Sequence, residues 1–223
     1  MSSASLFRWA AAALVVSGVS LALGLILHPM PPYDASVGTS QWAVSHFFWW
    51  TGALAGIAGL TGLYLRHGEE VGVFGFIGIG LAVIGLVLIT GAMYFEAFIA
   101  PSLAARAPEV FQSFPAGGGW EGFLAGVLAS GALFGLGFLA FAMFRAPSTP
   151  RWAIVLAVVG GLPFAVNFLL PRLLAIVAVS VFGVGLLGLG SALWKSVEHS
   201  VARSLAAPPN AETREAKGRR TAT

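Results

Sequence analysis

Apolar positions in this chain gather into six blocks, each about as long as a helix needs to cross a bilayer. At 1.5 Å of rise per residue, roughly 20 residues cover ~30 Å of hydrocarbon. The blocks run from about Trp9 to Leu27, Trp42 to Leu65, Val71 to Ile99, Trp120 to Phe144, Trp152 to Leu170 and Leu173 to Trp194. The third exceeds the minimum, so it is expected to tilt or protrude. Only Pro171-Arg172 separates the last two. A single helix through both would far exceed the bilayer, and proline disfavours continuation there. Two helices joined by a tight reversal are therefore predicted.

Polar and turn-forming residues separate the blocks. Residues 28–41 carry His28-Pro29, Pro31-Pro32 and Asp34 without a Lys or Arg. Arg66 to Glu70 reads as a short charged turn, and Arg145 to Arg151 as another containing Pro147 and Pro150. Pro101 to Gly119 is the longest connection, with one or two helical turns expected over Pro108 to Phe114. Beyond Trp194, Val197, Val201 and Leu205 recur at helical spacing opposite Lys195, Glu198 and Arg203. The expected organisation is a six-helix transmembrane domain over 1–194, an amphipathic interfacial helix over 195–205 and a disordered tail over 206–223.

Composition agrees with the pattern. Hydrophobic residues make up 57% of the 223 positions and charged residues 9%, against about 25% charged in a typical soluble domain. The fold class is thus an all-α polytopic membrane bundle, with the lipid bilayer as its first partner. There is no cysteine, which excludes disulfides, thiolate catalysis and iron–sulfur clusters. The net charge of +3 is no nucleic-acid signal, because the basic residues lie at helix ends and in the tail.

The basic residues instead set orientation. With the N-terminus inside, Arg8, Arg66, Arg145, Arg151 and six tail residues face the cytoplasm, leaving Arg106 and Arg172 outside, ten against two. The positive-inside rule then puts both termini in the cytoplasm, in the cytoplasmic membrane. The first block reads as a retained helix, since it is long for a signal-peptide core.

Glycine brings in packing. Most of the 29 glycines lie inside apolar blocks. Gly52/Gly56, Gly122/Gly126 and Gly131/Gly135 have the small-xxx-small spacing that lets helices approach closely in lipid. Such faces suit a compact bundle, a homo-oligomer or a contact with a partner in a membrane complex. The G-x-G-x-x-G run at Gly183, Gly185 and Gly188 lies within a span, away from the strand-to-helix turn that a dinucleotide site requires.

Candidate chemistry collects on the outer side. His28, Asp34, Trp42, His46, Tyr94, Glu96, Glu121, Asn167 and Arg172 all map to that end of the helices. Together they suit an outward-facing polar pocket that binds or passes a small solute or ion. The plainer alternative makes them solvated helix ends, with Glu96 paired to Arg172. His28, His46 and Glu96 are the only metal set the pattern suggests, and the two histidines are the only candidates for axial ligands to a haem b. The aromatic run around Trp42, Trp49 and Trp50 matches an interfacial belt. No G-x-S-x-G or H-E-x-x-H motif occurs, so no enzyme is expected and no resident cofactor is assigned. The readings are a solute or ion pocket, a non-catalytic accessory subunit, and a haem- or metal-binding redox protein.

Overall fold

The computed structural model describes residues 2–30, 36–113, 134–166 and 169–206, with side chains placed as far as residue 202. Their regular structure is all helical, with no strand among them. Helix α1 (Ser3–Leu27) starts where the Ser2 hydroxyl accepts from the Ser5 N–H, satisfying one of its orphaned donors. It stops at His28, because the residue before a proline is pushed out of the helical region. Thr39 caps α2 (Ser40–Tyr94) in the same way, accepting from the Trp42 N–H at 3.3 Å.

A straight helix as long as α2 would measure ~80 Å, well over twice a bilayer's core. It does not run straight. At Gly72 the backbone takes φ 59°, ψ −152°, a region open essentially to glycine alone. There the chain doubles back. Gly56 consequently lies against Leu86, the Tyr64 and Phe76 rings stand 6.4 Å apart, and Trp50 lies 5.7 Å from Phe98. The second and third predicted helices are these two arms, residues 40–71 and 73–94. The expected turn at Arg66–Glu70 is itself helical, and the reversal comes at Gly72. That charged run holds no proline to stop a helix, whereas the positive φ at Gly72 does.

A single π-helical turn, Phe95–Ile99, leads from the second arm into α3 (Ala100–Arg106) and then α4 (Pro108–Ser113). The helical turns expected in the long connection are therefore present. After the break in the described residues come α5 (Phe134–Arg145, its last turn tightened at Met143–Arg145), α6 (Arg151–Ala165) and α7 (Arg172–Ala206). Residues 195–205 continue α7 without a break. The expected tail beyond Ala206 and most of the fourth predicted helix lie outside the described residues. Among the described residues, three helical stretches are long and apolar enough to cross a membrane: Ser3–Leu27, Ser40–Arg106 and Arg172–Ala202.

Close glycine contacts fix how the rods run. Gly62, Gly59 and Gly52 meet Ala10, Leu14 and Leu21, so the first arm of α2 runs antiparallel to α1. Gly183 lies on Gly18 and Gly190 on Ala11, so α7 is antiparallel to α1 as well. Gly185 against Ala157 and Gly188 against Ala153 set α6 antiparallel to α7. Gly78 against Leu139 and Gly135 against Ala82 do the same for α5 and the second arm of α2. A Cβ on Gly18 would stand 2.6 Å from the Gly183 carbonyl oxygen; only bare backbone permits that approach, which is how helices gain dispersion contact in lipid. Gly52, Gly56 and Gly135 thus face neighbours inside this chain.

The interior is apolar and so is much of the outside. Leu14, Leu63, Ile154, Phe164 and Phe182 are fully buried. Val73, Phe76 and Leu173 point outward, each more than 60% exposed. An apolar exterior of this extent suits hydrocarbon and not water. The two ends of the bundle differ. At one, Arg66 stacks over Phe7, Arg8 over Trp194 and Arg145 over Phe74. The other holds His28, Trp42, His46, Glu96 and Arg172.

Candidate functional site

The last turn of α1 leaves carbonyls without helical partners, and two residues distant in sequence answer them. Gln41 Nε2 donates to the Leu27 carbonyl at 3.0 Å. Arg172, at the start of α7, reaches across to the carbonyls of Ile26, His28 and Pro29. A cation at a helix C-terminus is favoured by the dipole as well as by the hydrogen bonds. These contacts pin the segment carrying His28 against the start of α2.

Three rings meet there. His28 and Trp42 have centroids 5.6 Å apart, His28 and His46 4.9 Å, and Trp42 and His46 4.3 Å. Trp42 and His46 share one face of α2 because they are four residues apart. His46 is only 4% exposed and Trp42 6%. Trp42 is held from its far edge, its indole N–H donating to the Glu96 carbonyl at 2.9 Å. That carbonyl lies in the π-helical turn, so the turn holds the rim of the stack.

The hydrogen bonds fix the tautomers. His46 Nδ1 lies 2.8 Å from the Trp42 carbonyl, and His28 Nδ1 3.0 Å from the Pro29 carbonyl. A carbonyl only accepts, so each Nδ1 carries a proton and, in the neutral ring, each Nε2 presents a lone pair. His28 stays neutral more readily than an ordinary imidazole: burial lowers its pKa, the Pro29 hydrogen bond opposes this, and Arg172 lowers it further. The result is two imidazoles, each oriented from behind by a backbone carbonyl, beside an indole face.

A fourth ring lies further along α2. Trp49 lies three residues beyond His46 on the same face of α2, packed against Gly24 and 5.9 Å from Phe164. Its indole N–H is buried with no acceptor among the described residues. An unanswered donor there is costly, on the order of 1–3 kcal/mol. The aromatic run of α2 is expected to form an interfacial belt, whereas Trp49 packs inside the bundle against Gly24 and Phe164.

Of the expected pocket, then, the fold brings together His28, Trp42, His46 and Arg172, with Glu96 adjoining through its main chain. Tyr94 belongs to a neighbouring aromatic patch, 5.2 Å from Phe98 and 6.4 Å from Trp50. Asp34, Glu121 and Asn167 lie outside the described residues. Among those described, Arg172 forms no ion pair with Glu96, being engaged by the α1 carbonyls instead. No group of three or more His, Asp or Glu converges on a metal position among them. Two histidines serving one haem stand on opposite faces of the macrocycle, whereas here the rings touch each other, within the range of ordinary aromatic contact.

Comparison with known protein families, with curated proteins and with solved structures finds no match to this chain.

Proposed function

We propose that this protein crosses the cytoplasmic membrane six times with both ends inside, and that its outer end binds a small cationic or hydrogen-bond-donating solute. Alternating helix directions support six passes: each rod packs antiparallel to its partner, and the first and last helices present their basic ends together. The excess of arginine at that end supports its placement in the cytoplasm.

One observation carries the binding reading: the stack of His28, Trp42 and His46, with both Nδ1 protons anchored on backbone carbonyls. A ligand with N–H donors, or a small cation, is matched by imidazole acceptors and by the indole face, which attracts positive charge. The glycine faces at Gly52, Gly56 and Gly135 are occupied within the chain, which weakens the accessory-subunit reading that rested on them.

The test is a titration of the purified full chain with ammonium, choline and Zn²⁺ in turn, read by tryptophan fluorescence and calorimetry. Saturable binding of at least one probe, abolished in His46→Phe, is expected. No saturable signal from any of the three up to millimolar concentration would overturn the reading.

A further inference from the structure

At the basic end, a cleft of about 540 Å³ opens between the first arm of α2, the α5–α6 connection and α7. That volume falls within the ~300–1,000 Å³ usual for small-molecule sites. Arg66, Lys195 and His199 supply basic groups, and Ser148, Thr149 and Ser196 supply hydroxyls. Among the described residues no carboxylate lines the cleft. Two acids on the same helices are turned to other uses: Glu70 accepts from His67 at 2.8 Å, and Glu198 from the Trp194 indole at 2.9 Å. Arg66 is oriented by the Ser200 hydroxyl at 3.1 Å and by the Phe7 ring. Pro150 and Trp152 at the start of α6 also line the cleft, adding the positive end of a helix dipole.

The rest of the lining is different in kind: Pro147, Pro150, Trp152, Gly188 and Ala192 supply apolar surface from the α5–α6 connection, α6 and α7. Trp152 is more than half exposed at the helix start, the depth at which tryptophan marks the membrane interface. Basic groups and hydroxyls beside apolar lining complement an anionic head joined to an acyl chain. We infer that this cleft holds the phosphodiester head of an anionic phospholipid from the leaflet on the basic side. The site is distinct from the histidine end and stands whether or not a solute binds there.

The experiment is native mass spectrometry of the full chain in neutral detergent, offered phosphatidylglycerol or phosphatidylcholine of matched acyl chains. Wild type should retain phosphatidylglycerol at least several-fold better, since each basic residue near an anionic headgroup contributes about a fivefold factor. Arg66→Ala with Lys195→Ala should erase the preference, while Arg66→Lys with Lys195→Arg keeps it. Arg8→Ala with Arg145→Ala removes equal charge away from the cleft and should leave the preference intact. Equal retention of the two lipids by wild type overturns the inference. So does an equal loss in the Arg8/Arg145 control, which would mean diffuse surface charge. Binding of inorganic phosphate that displaces the lipid and alone gives the full thermal stabilisation would assign the cleft to a soluble phosphate.

Discussion

The imidazole of His46 rests 4.3 Å from the indole of Trp42 and donates its Nδ1 proton to that residue's own carbonyl, 2.8 Å away. One turn of helix thus builds both the contact and the tautomer. Removing the ring should cost stability on two counts, an aromatic contact and a buried hydrogen bond, together about 1–3 kcal/mol for His46→Ala. His46→Phe keeps a ring against Trp42 and should lose less than half of that. Thermal unfolding in detergent ranks the two. If His46→Phe is near wild type in stability yet loses cation binding, the imidazole nitrogen is the ligand; if it binds as wild type does, the imidazole is packing only.

Gly72 permits a sharper test, because a Cβ there would meet nothing within 4 Å. Any penalty for Gly72→Ala is therefore conformational, not steric crowding. With φ at 59° and ψ at −152°, the expected loss is about 1–3 kcal/mol. Gly80→Ala is the matched control: it lies in the same helix, also in open space, with an ordinary backbone. It should be neutral or stabilising by up to ~1 kcal/mol. Equal behaviour of the two variants in thermal unfolding would sink the assignment of the reversal to Gly72.

Much of this was legible in the sequence, and what escaped has identifiable causes. Block lengths gave the helical rods, and counting residues along them put His28 and His46 at one end. Neither could reveal that the rings touch, because residues 28 and 46 belong to different helices and their separation depends on Gly52 and Gly59 letting α2 close on α1. The expected Glu96–Arg172 pair failed for a related reason. Sequence displays side-chain charge, but not the unsatisfied carbonyls at the end of α1 that engage Arg172. The hairpin was placed a few residues early because Arg66–Glu70 advertises polarity, whereas the backbone reverses at the residue able to take a positive φ.

His28 makes a prediction about pH. Burial is the main cause lowering its pKa below the ordinary 6.5, with Arg172 adding to it against the Pro29 hydrogen bond. Just below that value the unfolded chain holds more protons at this site than the folded one. Stability therefore falls as pH drops through the window beneath 6.5, and is unaffected by this group above it. His28→Gln removes the titration. Unfolding midpoints compared from about pH 5 to 7.5 should show a slope in wild type that is shallower in His28→Gln. An identical slope in both would mean that His28 does not couple folding to protons.

The orientation is open to direct chemistry, because the chain has no cysteine and any introduced thiol is the sole target. Gly38 lies exposed in the connection at the histidine end, with open space around it. Ser148 lies exposed in the α5–α6 connection at the basic end. In the six-pass topology three passes separate these positions and so put them on opposite sides, and the arginine excess decides which is inside. In intact cells, a membrane-impermeant maleimide should label Gly38→Cys at once and Ser148→Cys only after permeabilisation. The reverse pattern would invert the protein, turning the histidine stack to the cytoplasm and the lipid cleft to the outer leaflet. Labelling of both sites before permeabilisation would mean that the bundle does not separate its ends across the membrane, and the six-pass reading would fall with it.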